Sequence, residues 1–344
     1  LRSIQQWDPE TGSIAPYEFA AQTTGVRADF ELAPCGSILL FLSNKPSEPA
    51  PAEPAQAVTV GPVGPLRIRR TEQNVLTLDY VDVTVGGETK RNIYFYEASK
   101  FVFQKHGMES NPWDSAVQLR DQIITKTFDA NSGFEATYRF TIEGKAPKPL
   151  YVVIERPDLY KITCNGKPIA AAKDQWWLDK AFGKIDISSA AGTGENVVTI
   201  KASPMTIYHE LESAYVLGDF GLKAVESGFV IVPEEPLKLG KWNEQGLPLY
   251  SAGVSYSEDF EIDEPTGRYA VSLDEWYGSV AKVVVNGNDA GYVYHRPWQC
   301  NVTDCIAPGK NTIEVVVIGT LRNTLGPHHG NQPLGSAWPS MFRS

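Results

Sequence analysis

A repeated order of turn residues and β-branched runs constrains this chain more than any other feature. Leu159-Tyr-Lys-Ile-Thr-Cys leads into Asn165-Gly166; Ile185-Asp186-Ile187 follows, and Gly194-Glu-Asn196 opens the run Val-Val-Thr-Ile. Further on, Val280-Ala-Lys-Val-Val-Val leads into Asn286-Gly287; Cys300-Asn301-Val302 follows, and Gly309-Lys-Asn311 opens Thr-Ile-Glu-Val-Val-Val. Asp186 to Asn196 and Asn301 to Asn311 span the same ten residues. Asn-Gly at the end of a β run supplies two residues that tolerate positive φ, so each pair predicts a tight type I′ hairpin. The later Gly-x-Asn starts a second β run after a surface turn. The same order at similar spacing predicts two copies of one sandwich topology.

Elsewhere helical periodicity is nearly absent. Apolar residues alternate, or come in short runs such as 151–154, 197–200, 283–285 and 313–318, closed by Gly, Asn, Asp or Pro. That is the pattern of an all-β sandwich or barrel. The stretch from Asn44 to Pro65 is dense in Pro, Ala and Glu and reads as linker. With 344 residues the chain has room for more than one domain. The expected organisation is a short β segment over 1–43 (the end of a larger β-domain), a Pro/Ala-rich linker over 44–64, a first sandwich over 65–227 and a second over 228–344. The chain begins at Leu1 without a Met and runs directly into strand-like sequence, as a processed or excised fragment would. The apolar stretch Trp338-Pro339-Ser340-Met341-Phe342 reads as the point where a final strand was cut away.

Charge and motifs exclude several function classes. A formal net charge of −10 repels a phosphate backbone, so nucleic acid is not expected as a partner. No apolar run reaches the roughly 20 residues that cross a bilayer, so no membrane is expected either. The four cysteines lack metal-type spacing; Cys300 and Cys305 can pair if their loop turns back, or stay free as buried thiols. There is no Gly-x-Ser-x-Gly elbow, Walker loop, dinucleotide fingerprint or EF-hand loop.

A pyranose presents an apolar face and a rim of hydroxyls. Aromatic rings cover the face, while Asn, Asp, Arg and His bond the rim. Two groups fit: Trp276, Tyr277, Tyr294, His295, Arg296 and Trp298 in the second sandwich, and Trp176 and Trp177 in the first. In an extended strand Trp176 and Trp177 face opposite sides, so at most one enters the core. Trp113 and Trp242, in Gly- and Pro-flanked loops, are weaker candidates. Hydrolysis of a glycoside would need two carboxylates at defined spacing; Asp274 and Glu275, before Trp276-Tyr277, form the most pointed acidic–aromatic cluster. His328 and His329 project differently and have no further ligands spaced nearby, so zinc is not expected.

The run Val-Asn286-Gly287, then Gly291, Pro297 with its aromatic neighbour, Asn301-Val-Thr303 and Gly309-x-Asn311 resembles the sugar-binding jelly roll of glycoside hydrolase family 2. The wider pattern is similar to the C-terminal part of large bacterial glycosidases related to family 106, the α-L-rhamnosidases. It comprises Trp7 to Gly12, Asn74 to Tyr80, Trp176 to Asp179, Leu217 to Phe220 and Leu321 to His329. The resemblance implies two jelly-roll, galactose-binding-like β-sandwiches preceded by a short β segment. It also implies a catalytic (β/α)₈ barrel outside this chain, which has no alternating βαβ pattern. The expected function is then a carbohydrate-binding, non-catalytic accessory region of a polysaccharide-degrading glycoside hydrolase, bacterial and secreted or periplasmic. Its partners would be a plant or microbial polysaccharide or oligosaccharide and the absent catalytic domain. The alternatives are a scaffold packing on that barrel without sugar affinity, and a small self-contained glycoside hydrolase. The resemblance places Arg322, Asn323 and His328 at a domain interface or near the sugar site. No cofactor is expected beyond a structural calcium ion, which jelly rolls of this class often hold. Asn301 stands where the family pattern has Asp, which puts a carboxylate role at that position in doubt.

Overall fold

The computed structural model describes residues 2–9, 12–32, 36–46, 58–114, 120–320 and Asn323. Both Asn-Gly pairs adopt the left-handed geometry that a type I′ turn requires. Asn165 and Gly166 have φ of 49° and 76°, and Asn286 and Gly287 have 53° and 80°. The hairpins they close are Lys161–Cys164 with Lys167–Ile169, and Val280–Val285 with Asn288–Val293.

Among the described residues the chain is nearly all β, in antiparallel sheets with few exceptions. The first sandwich has two facing layers. One runs Lys167–Ile169, Lys161–Cys164, Gly194–Ala202, Phe134–Ile142, Phe229–Val232, Gly221–Ala224, with Tyr80–Val85 also pairing with Phe134–Ile142 and Glu88–Tyr94 pairing with Tyr80–Val85. The other runs Trp176–Trp177, Asp179–Asp186, Leu150–Glu155, Ala214–Gly218, Asn74–Leu78. Strand Phe134–Ile142 shows why they pack: Phe134, Ala136, Tyr138, Phe140 and Ile142 alternate inward and are buried. They join Leu150, Val152, Ile185, Val198, Ile200 and Val216 in one core. Burial of such side chains stabilises by about 1.5–3 kcal/mol each.

Helix Phe95–Lys105 departs from the all-strand expectation. Ala98, Phe101 and Val102, spaced three and four apart, are buried against the same core. Glu97 in its first turn and Lys105 in its last complement the helix dipole.

The second copy of the repeat forms a sheet in the order Asn288–Val293, Val280–Val285, Gly309–Ile318, Gly253–Ile262, Arg67–Arg70. The connections between its strands also form a two-stranded pair, Ala270–Ser272 with Gln299–Asn301.

Each copy is closed by a buried asparagine. In the first, Asn196 Nδ2 donates to the carbonyls of Gly192 (2.7 Å) and Gly194 (3.0 Å). Its Oδ1 accepts from Gly192 N–H (2.8 Å) and Asn165 Nδ2 (2.9 Å). In the second, Asn311 Nδ2 donates to Ala307 (2.7 Å) and Gly309 (3.0 Å), and its Oδ1 accepts from Ala307 N–H (2.9 Å) and Asn286 Nδ2 (2.9 Å). Asn165 and Asn286 in turn accept from Val197 and Thr312 N–H. Both donors and both acceptor positions of each buried carboxamide are used, so Asn196 and Asn311 sit at zero exposure without an unsatisfied group.

Among the described residues the chain divides into two compact units, one within Leu1–Pro65, Glu258–Trp276 and Ala281–Glu314, the other within Leu66–Ser257, Tyr277–Val280 and Val315–Ser344. The first contains a three-stranded sheet ordered Ile14–Tyr17, Ser3–Trp7, Leu39–Ser43. Its register, Trp7 opposite both Ile14 and Leu39 and Gln5 opposite Phe41, puts Trp7, Ile14, Leu39 and Phe41 on one face. All four are exposed, at 38–54%, and Trp7 stacks on Phe41 at 5.3 Å.

Candidate carbohydrate-binding site

The strand pair Ala270–Ser272 with Gln299–Asn301 brings two distant aromatic segments together, and Leu273 N–H extends the pairing to the Trp298 carbonyl at 2.9 Å. Trp276 and Trp298, both half-buried, meet edge to face with centroids 5.4 Å apart and planes at 87°. The Arg296 guanidinium lies 5.7 Å from the Trp298 ring centre, within cation–π range. His295 Nδ1 donates to the Arg296 carbonyl at 2.9 Å, and the Tyr294 ring meets the His295 ring edge-on at 4.8 Å. Tyr294, His295 and Arg296 are exposed. The structure therefore groups Trp276, Tyr294, His295, Arg296 and Trp298 through successive contacts of chain and ring. The indole N–H of Trp276 is buried without a hydrogen-bond partner, an exception of the kind that calls for an explanation. Tyr277 is 93% exposed, and Asp274 and Glu275 are exposed beside it.

Trp176 and Trp177 separate as strand geometry demands. Trp176 is 48% exposed, whereas Trp177 packs on the first core with its ring 5.1 Å from Tyr215. Asn323 Oδ1 accepts from the Thr320 N–H (3.1 Å) and shares a bond with its hydroxyl (2.9 Å), closing its own turn. Arg322 and His328 lie outside the described residues. Cys164, Cys300 and Cys305 are free thiols, so Cys300 and Cys305 are not bridged. Asn301 Oδ1 accepts from the Thr303 N–H and hydroxyl, the same turn-closing role that Asp186 Oδ1 fills toward the Ser188 N–H. Among the described residues no group of three or more His, Cys, Asp or Glu side chains could hold a metal ion.

A second cleft, in the first sandwich, has no counterpart in the sequence reading. Trp113, Glu155, Arg156, Tyr208 and Glu210 line a cavity of about 120 Å³. Trp113 sits in the 3-10 turn Pro112–Asp114, and Glu155 ends strand Leu150–Glu155. Tyr208 and Glu210 lie on the segment between Gly194–Ala202 and Ala214–Gly218. That segment is held from below: Trp113 Nε1 donates to the Ile207 carbonyl, and the hydroxyls of Tyr160 and Tyr138 donate to the carbonyls of Glu210 and Glu212. Buried His209 accepts the Thr206 N–H at Nδ1, which fixes the proton on Nε2 for donation to the Leu159 carbonyl.

Electrostatically the cleft is unbalanced. Burial, then the neighbouring Glu210, raises the Glu155 carboxyl above its usual range, against a smaller lowering by Arg156. Burial raises Glu210 despite a hydrogen bond from Asn111. Burial together with Glu210, Glu155 and Asp114 pushes Glu212 up to about 8. The guanidinium of Arg156 is engaged in a double hydrogen bond to Asp158, at 3.1 and 3.0 Å. Only the fold gathers these residues; the sole sequence signal was Trp113, in its Pro-flanked loop.

No protein-family model matches the chain. Among curated proteins it is similar to a putative β-glucuronidase of Formosa agariphila, 21% identical over 231 residues that make up 65% of this chain and 19% of that protein. The chain thus corresponds to about a fifth of the length of that relative. Among solved structures it is similar to a rhamnosidase from Novosphingobium sp. PP1Y, with 18% identity, 62% of this chain and 22% of that chain covered, and a TM-score of 0.23. It is also similar to a β-D-mannosidase from Dictyoglomus thermophilum, with 11% identity, 71% and 31% covered, and a TM-score of 0.29. The proteins it resembles are enzymes named for glycoside substrates; overlap at these TM-scores carries no residue-level correspondence.

Proposed function

We propose that this chain is a carbohydrate-binding, non-catalytic accessory region of a secreted or periplasmic polysaccharide-degrading glycoside hydrolase, with Trp276, Tyr294, His295, Arg296 and Trp298 as its sugar platform. The carrying observation is the edge-to-face Trp276–Trp298 pair beside the exposed segment from Tyr294 to Arg296. Indole and phenol faces match the C–H face of a pyranose, and the guanidinium offers donors to its hydroxyls. An unpartnered indole N–H in the same group leaves one donor available if Trp276 turns outward on binding. The partners are a plant or microbial polysaccharide or oligosaccharide and a catalytic domain outside this chain. Affinity electrophoresis in xylan, pectin, rhamnogalacturonan and β-glucan gels tests the reading. Retardation by one polymer, weakened roughly tenfold in Trp298→Ala, is expected. Unretarded migration in every gel removes the proposal.

A scaffold role is the second reading, favoured by one observation: the exposed apolar face of Trp7, Ile14, Leu39 and Phe41. Contiguous apolar surface of that kind marks a docking site more often than an idle one. The two roles are compatible on one chain, since the platform and the apolar face use different residues.

A further inference from the structure

We propose that the cleft formed by Trp113, Tyr208, Glu155, Arg156 and Glu210 binds a pyranose carrying a free amine, a glucosamine-type ring. The site is separate from the proposed Trp298 platform and does not depend on it. Its walls are aromatic: the rings of Trp113 and Tyr208 lie nearly parallel, 21° apart, with centroids 6.2 Å apart. Trp113 packs on the core and Tyr208, stacked on it, is 47% exposed, so the pair presents one aromatic surface partly open to solvent. Flat apolar walls suit the face of a sugar ring. A cavity of about 120 Å³ seats a single ring and leaves the rest of an oligomer outside.

The polar groups decide which sugar. Burial raises both Glu155 and Glu210, so a bound cation is what draws them into the ionised form, and once ionised they only accept hydrogen bonds from a ligand that brings donors. A neutral sugar supplies hydroxyl donors but leaves the carboxylates repelling each other. The one cation in the lining, Arg156, is already committed to Asp158. An ammonium group brings three donors and the missing positive charge, and charge-assisted bonds of this type are the stronger kind. The same ammonium near an indole gains a cation–π term. Anionic sugars are excluded by repulsion. A bare metal ion is a poor fit, because among the described residues no three carboxylate, thiol or imidazole side chains converge. The segment carrying Tyr208 and Glu210 is held at Ile207, His209, Glu210 and Glu212, so little ordering is required on binding.

The test titrates the whole chain with a glucosamine tetramer, its fully N-acetylated counterpart and a neutral β-glucan tetramer, followed by calorimetry. The glucosamine tetramer is expected to bind, with the other two weaker by roughly tenfold or more. Tyr208→Ala and Glu210→Gln should each weaken it by roughly tenfold, and Tyr208→Ala should do so while the melting temperature holds, since Tyr208 lies largely outside the core. Trp298→Ala should leave it unchanged, which separates this site from the platform. Equal binding of all three tetramers, equal binding of a lysine peptide, absence of glucosamine binding, or indifference to both cleft variants would each overturn the proposal.

Discussion

The two copies of the repeat share a fastening and differ in what it fastens. In the first, the Asn165–Asn196 pair spans 31 residues and closes a sheet that faces a full second layer over a large core. In the second, the Asn286–Asn311 pair spans 25 residues and closes a five-stranded sheet whose connections form one two-stranded pair. Bond lengths around the two buried carboxamides agree within 0.1 Å, for example 2.8 Å at Gly192 N–H and 2.9 Å at Ala307 N–H. Near-identical polar geometry in sheets of different size means that the turn is set by local hydrogen bonding. The second copy also carries the half-exposed indoles: Trp276 and Trp298 meet edge to face, and Tyr294 to Arg296 beside them are exposed.

The strongest challenge to this comparison is to spoil the fastening in each copy separately. Asn196→Asp and Asn311→Asp replace two amide donors by a buried carboxylate facing two carbonyls. Each should cost on the order of 3–5 kcal/mol. Asn311→Asp should release hydrogen-exchange protection over 280–318 while 134–202 stays protected, because the bonds it spoils all lie within the second copy. Equal loss in both regions would mean that the copies do not fold as distinct modules.

A smaller effect distinguishes the copies by charge. The first sandwich holds Glu212, whose folded form keeps its proton up to about 8 against an ordinary value of 4.5. A group raised on folding contributes stability that is complete below the ordinary value and is lost as pH rises through the folded one. The chain should therefore weaken between about pH 4.5 and 8, and Glu212→Gln should remove most of that slope. Near pH 9 the variant should be the more stable, by on the order of 2–3 kcal/mol, with little difference at pH 4. Thermal melts across that range decide it; parallel curves for the two proteins would show that Glu212 titrates normally.

The smallest effect is the most discriminating. Asn301→Asp makes the same chemical change as Asn311→Asp, yet it should alter stability by no more than about 0.5 kcal/mol. Asn301 acts only as an acceptor, and Asp186 performs that task in the first copy. A large loss would show that the two positions are not equivalent.

The repeat was legible because its determinants are local: positive φ at Asn-Gly and a fixed distance to the second asparagine. The split of Trp176 from Trp177 was legible for the same reason, since alternation in a strand needs no partner to be known. Helix Phe95–Lys105 was missed although Ala98, Phe101 and Val102 have helical spacing; aromatic and β-branched residues in Phe95-Tyr-Glu-Ala-Ser-Lys-Phe-Val-Phe mimic the strands on either side. Of the acidic cleft only Trp113 was legible. Trp113 in a turn, Glu155 at a strand end and Glu210 in a connection are far apart in the chain, and nothing in their own segments announces that they meet.

The buried carboxamides also bear on how far such a chain can drift and still be itself. Each asparagine bonds to main-chain groups and to one partner asparagine, and none of these bonds refers to the side chains of the core. Volume-conserving aliphatic exchanges in the core should therefore leave these turns intact, because the information that defines each turn is confined to a few polar residues at fixed spacing.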